Sequence, residues 1–172
     1  ALSTDMYRYN RDTYTLGEGE LYGLPKDLGP YAIVYNKDLL KAIIAERGLS
    51  IELPNPDIPM TWDQFVEYLK AITGNHDGKK IYGIGYYELM AAVYSNNANF
   101  FDDAVKKQTI TDKNFIDAVQ FVADLSIKHK VAPSADEQSS QNSFQRFLNQ
   151  GCVFTFMGTW DCKHFWGDLS FE

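Results

Sequence analysis

The repeated switch between strand-like and helix-like hydrophobic spacing constrains the fold of this chain more than any other feature. Residues 31–35, Tyr-Ala-Ile-Val-Tyr, are β-branched and aromatic and read as a strand. Directly after them Leu39, Leu40, Ile43 and Ile44 recur at helical spacing, with Asn36 placed to cap the helix and Gly48 to end it. Thr61-Trp-Asp-Gln64 then has the form of a capping box, followed by an apolar stripe of Phe65, Val66, Leu69 and Ile72 in which Trp62 also falls. A turn cluster at 74–78 leads into a strand at 81–87. Its Gly83 and Gly85 suggest that another group approaches closely. The spacing predicts a short helix over 88–96, a long one over 112–130, a polar loop over 133–140 and a helix over 140–150 with Gly151 just past its end. A strand at 152–157 turns at 158–161 into a last short helix. Strands separated by helices predict an α/β architecture with a mainly parallel sheet flanked by helices. Ligands of such sheets sit beyond the carboxyl ends of the strands, which singles out 27–31, 86–88 and 158–161.

Bulk properties narrow the chemistry. A chain of 172 residues suggests one domain, and its net charge of −7 argues against nucleic acid as a partner. No apolar run approaches the roughly 20 residues that span a bilayer. Cys152 and Cys162 form no Cys-x-x-Cys pair, so no zinc or redox motif is readable, and a bridge between them fits poorly with a strand start facing a helix start. His76, His129 and His164 lack metal-ligand spacing, and no cofactor is implied. Gly83-x-Gly85 lacks the third glycine of a phosphate-binding turn. Asp102 and Asp103 are adjacent, but nothing sets them across a glycosidic bond, so no catalytic group is assigned. What remains is an aromatic surplus, with 11 Tyr, 11 Phe and 3 Trp. Most must be core, yet Tyr and Trp also give a pocket wall an apolar face and a polar handle.

Several blocks carry a family likeness. Leu21-Tyr-Gly-Leu-Pro-Lys-Asp27 followed by Tyr31-Ala-Ile-Val-Tyr-Asn-Lys-Asp-Leu-Leu40 resembles the interlobe crossing of bacterial extracellular solute-binding proteins of ABC transporters, in particular their sugar-binding group. Pro59-Met-Thr-Trp-Asp-Gln-Phe65 is similar to that family's helix start. Asn96-Asn-Ala-Asn-Phe-Phe-Asp102 is similar to its N-G-G-x-x-F-D loop, with Asn97 and Ala98 in place of the glycines. Residues 147–160 fit its F-x-x-G-x-x-A-M-x-x-x-G-x-W pattern, ending on Gly158-Thr-Trp160. The resemblance runs from about Tyr22 onward. It implies two α/β lobes that clamp a carbohydrate, no catalysis, permease subunits as partners, and a place on the outer side of the cytoplasmic membrane, in the periplasm or lipid-anchored. This chain would be a fragment: an arm and first crossing over 1–28, and one lobe over 29–172 that stops within a following strand. The missing first lobe would then be a partner too, and the isolated lobe would bind ligand weakly and tend to self-associate through its uncovered face.

The candidate ligand-binding residues follow. Trp160, just past a strand's end, is the sugar-stacking platform that the resemblance implies, set against a plain core role. Tyr86, Tyr87 and Glu88 lie at another strand end, where Glu88 either accepts from sugar hydroxyls or favours a helix N-terminus. Asp27 serves a ligand or the hinge turn. Asn96 and Asn97 offer donor and acceptor together, or simply loop geometry. Asp161 reads as a first-turn helix acid, Trp62 as core, and Trp166 is ambiguous. Two other readings stand beside the sugar: the same fold holding a polyamine, peptide or other solute, and a glycoside-active enzyme that shares the lobe.

Overall fold

A computed structural model describes residues 15–16, 20–21, 23, 29–104, 106–163, 167 and 169–172. Asp27, His164 and Trp166 lie outside the described residues. Two short strands, β1 (Thr15–Leu16) and β2 (Glu20–Leu21), pair antiparallel. The main sheet takes β3 (Tyr31–Tyr35), β4 (Gly74–His76), β5 (Lys79–Ile84) and β6 (Cys152–Gly158) in the spatial order β3-β6-β5-β4. Around it lie α1 (Lys37–Arg47), α2 (Trp62–Ile72), α3 (Leu89–Ser95), α4 (Lys113–Ile127), α5 (Ala135–Ser140) and α6 (Ser143–Leu148).

The α/β class holds, but the sheet is mixed and not mainly parallel. β5 and β6 run parallel, while β3 pairs antiparallel with β6 and β4 antiparallel with β5. The extra antiparallel pair comes from the 74–78 cluster, which is a hairpin and not a bare turn. Asp77 and Gly78 both take positive φ, 48° and 74°, as a two-residue hairpin turn with Asp-Gly demands. Gly74 through His76 then have a partner strand within reach and become β4.

Local chemistry sets most boundaries. Asn36 caps α1 by accepting from the Leu39 N–H at 2.8 Å, and Gly48 closes it in the left-handed region. The capping box of α2 is complete, with Thr61 and Gln64 bonding reciprocally. Two helices replace the predicted loop and single helix near the C-terminal end. Ser134 and Glu137 form a second capping box that starts α5 within the expected polar loop. Asn142 starts α6 separately by accepting from the Gln145 N–H at 2.9 Å. Gln150, at φ 56°, takes the left-handed position expected of Gly151.

The main core joins α1, α2 and the sheet. Leu40, Ile43, Leu69, Ile72, Ile84 and Val153 are each fully buried there. Burial of each such side chain is worth about 1.5–3 kcal/mol. The close approaches expected at Gly83 and Gly85 are real. A Cβ on Gly83 would lie 2.9 Å from the Leu69 carbonyl oxygen, and one on Gly85 would lie 2.7 Å from Cys152 Sγ. Both cysteines are free thiols, Cys152 buried and Cys162 exposed.

Candidate functional site

The parallel pair β5 and β6 ends on one side of the sheet, where an α/β ligand site is expected. After Gly158 the chain makes one turn of 3-10 helix, Thr159–Asp161. Asp161 fixes that turn: its carboxylate accepts from the Gly158 N–H at 3.2 Å, the helix-acid role read from sequence. Trp160 is thereby carried to the surface and is 52% exposed. Tyr31 is the cross-strand partner of Gly158 and stands edge-on to the indole, with centroids 5.1 Å apart and planes at 87°.

These two aromatics form one side of a cleft of about 440 Å³. Tyr86 and Glu88, following β5, form another, and Asn142, Ser143 and Phe144 at the start of α6 close it. The Tyr86 hydroxyl donates to Glu88 Oε2 at 2.9 Å, while Glu88 Oε1 accepts from the Met90 N–H at 3.3 Å and caps α3. Both readings of Glu88 therefore meet in one side chain: it caps the helix and borders the cleft. Partial burial, then the Glu88 carboxylate, pushes the Tyr86 phenol up to about 12. It remains a protonated donor across ordinary pH.

The other candidates lie elsewhere. Tyr87 turns into the core, tilted against Phe156 at 4.7 Å and edge-on to Phe121 at 5.1 Å. Its burial pushes the phenol up, and it borders a neighbouring apolar cavity of about 580 Å³ with Ile33, Met60 and Trp62. Asn96 ends α3 and donates from Nδ2 to the Asn114 carbonyl at 2.7 Å, on a groove between α2 and α4. Asn97 takes φ 53°, the left-handed value that Asn tolerates better than most residues, which suits a position where the family pattern has glycine. It lines a further cavity with Asp102 and Asp103. Asp102 accepts from the Lys106 and Lys107 N–H groups, which hold its carboxyl below the usual range, so it clamps its own loop. Trp62 stacks flat on Phe121, with centroids 4.2 Å apart.

Asn142 and Ser143 border the cleft without having been singled out, and Tyr31 borders it although only the 27–31 segment, and not its side chain, was singled out. Tyr31 looked like any aromatic strand residue. Asn142 with Gln145 three residues later carries a helix-start signal, but an assumed continuous helix over 140–150 conceals it.

The sequence profile of the bacterial extracellular solute-binding proteins matches residues 2–166. The chain belongs to that family. The chain is 28% identical over 140 residues to the arabinooligosaccharide-binding protein of Halalkalibacterium halodurans, a match over 79% of this chain and 29% of the relative. Its fold is similar to that of an ABC substrate-binding protein from Listeria monocytogenes in complex with cycloalternan. There the TM-score is 0.80 at 23% identity, over 100% of this chain and 42% of that one. A Mycobacterium tuberculosis protein in complex with glycerophosphocholine has the same fold at a TM-score of 0.71 and 16% identity, over 99% of this chain and 40% of its own. The chain thus spans less than half the length of the relatives it matches.

Proposed function

We propose that this chain is the second lobe, over 29–172, of a solute-binding protein that delivers a carbohydrate, most simply an oligosaccharide, to the permease subunits of an ABC importer. Residues 1–28 would be the arm and first crossing, and the first lobe would supply the opposite wall of the site. No chemistry is done on the solute. Closure of two lobes around it shifts an open–closed equilibrium, and the closed form docks on the permease. The location would be the periplasm or, through a lipid anchor, the cell surface.

The half-exposed indole of Trp160 carries this reading. A pyranose ring has an apolar C–H face that packs on an aromatic face, and its hydroxyls need polar groups close by. Tyr86, Glu88, Asn142 and Ser143 are such groups, within one cleft. The described residues lining that cleft include Glu88 and Asp161 but no Lys, Arg or His, which disfavours an anionic solute. In this reading Tyr86 and Glu88 contact the sugar, Tyr87 supports Tyr86 from behind, and Asp27 in the crossing and Asn96 and Asn97 at the far end of α3 act at the margins of the closed site.

Titration calorimetry of the chain with arabinotriose, maltotriose, spermidine and glycerophosphocholine tests the proposal. Heat from a neutral trisaccharide, lost in Trp160→Ala, is the expected result. Binding of spermidine or glycerophosphocholine with silence from both sugars would overturn the carbohydrate reading and leave the family fold standing.

A further inference from the structure

Glycine at position 158 has no backbone reason. Its φ is −99° and ψ 162°, extended values that any residue adopts. It ends a strand in which β-branched or aromatic residues would be favoured. The space around it tells a different story. A Cβ built there would lie 2.1 Å from Trp160 Cζ2 and 2.3 Å from both Cε2 and Cη2. These are three consecutive atoms of the six-membered ring, all nearly equidistant, so the missing methyl would sit against the ring's face and not beyond its edge.

Gly29 makes the same concession from the segment that leads into β3. A Cβ there would meet Trp160 Cζ3 at 2.7 Å and Cε3 at 3.1 Å, on the other side of the same ring, and its φ is not left-handed either. Tyr31, two residues on, stands perpendicular beside the indole. Asp161 holds the turn that folds the indole back over the strand.

We infer that Gly158 and Gly29 are positioning residues of the binding site: together they form a seat that lays the Trp160 indole down on the sheet and leaves its remaining surface to the solute. The inference rests on the proposed role of Trp160 as platform, but the seat itself exists without a ligand. A methyl at either glycine cannot coexist with the ring as placed. Because the obstacle is a side chain and not backbone, the chain stays folded and the ring lifts away. Affinity then falls although no group that touches the solute has been altered.

The test uses the chain labelled with 5-fluorotryptophan, whose three 19F signals are assigned by losing Trp160's in Trp160→Phe. Gly158→Ala and Gly29→Ala should each move the Trp160 signal and leave that of Trp62 in place. Maltotriose and arabinotriose affinity should fall at least tenfold in Gly158→Ala. In the Trp160→Ala background the same substitution should leave the thermal midpoint unchanged, since there is no ring to displace. An unmoved Trp160 signal in Gly158→Ala, or an equal loss of midpoint with and without the indole, overturns the seat. Wild-type chain that binds spermidine or glycerophosphocholine and neither sugar, with the 19F shifts as expected, would defeat the carbohydrate reading and leave the seat intact.

Discussion

Trp62 opens α2 and Trp160 lies in the 3-10 turn that follows β6, yet one is finished and the other is not. Trp62 lies within 5° of parallel to Phe121 at 4.2 Å, so one of its faces is fully used in joining α2 to α4. Among the described residues Trp160 meets one aromatic neighbour, Tyr31, edge-on, and it keeps half its surface in water. The difference teaches how a surface aromatic becomes a candidate for function. An indole whose ring face already has an intramolecular partner contributes stability. One held by small residues and edge contacts, without a stacked partner, is stable but incomplete.

The sharpest way to break this contrast is to truncate both. Trp62→Ala should cost about 2–4 kcal/mol in urea unfolding, since it removes a large packed ring and an aromatic pair. Trp160→Ala should cost under about 1 kcal/mol of stability. Equal losses would erase the distinction. Next in size is Gly83→Ala, at about 1–3 kcal/mol, because the new methyl meets the Leu69 backbone carbonyl, which cannot swing aside as the Trp160 ring can. A thermal midpoint matching that of the unaltered chain would show that α2 can shift. Binding reverses the order of the tryptophans: Trp160→Ala should weaken trisaccharide affinity at least tenfold, about 1.4 kcal/mol, and conservative Trp62→Phe should leave it near wild type in the same titration.

The smallest effect concerns the start of α5. The Tyr82 hydroxyl, followed by the Ser134 N–H and O–H, holds the Glu137 carboxyl down at about 2. A folded-state value below the unfolded one stabilises the chain above the ordinary Glu range and loses that contribution as pH falls from about 4.5 toward 2. Stability measured across that window should therefore decline less steeply in Glu137→Gln, while sugar affinity at neutral pH should not change. A change in affinity would mean that α5 is coupled to the cleft, since Gln138 donates to the Gly85 carbonyl one residue before Tyr86.

Elements with strong local signals were legible in the sequence. The caps at Asn36 and Thr61 and the strand before Gly158 lie where local chemistry requires. Strand direction was not legible, because β3 pairs with β6 across more than 100 residues and nothing local sets its sense. The 133–150 stretch was misread because its polar residues conceal two helix starts, at Ser134 and Asn142, behind a loop-like composition. Of the cleft's lining, the positions of Trp160, Tyr86 and Glu88 could be read from their strand ends. The separation of Tyr87 from Tyr86 could not, since adjacent residues leaving a strand diverge and tertiary packing decides which one goes inward.

The two thiols give this molecule a built-in chemical handle. Cys152 lies fully buried beneath Gly85, and burial pushes its thiol up to about 12, so it offers almost no thiolate near neutral pH. Cys162 is exposed, two positions past Trp160. A maleimide dye added to the native chain should therefore attach at Cys162 alone, which makes the unmodified sequence a ready-made optical sensor of whatever settles on the neighbouring indole.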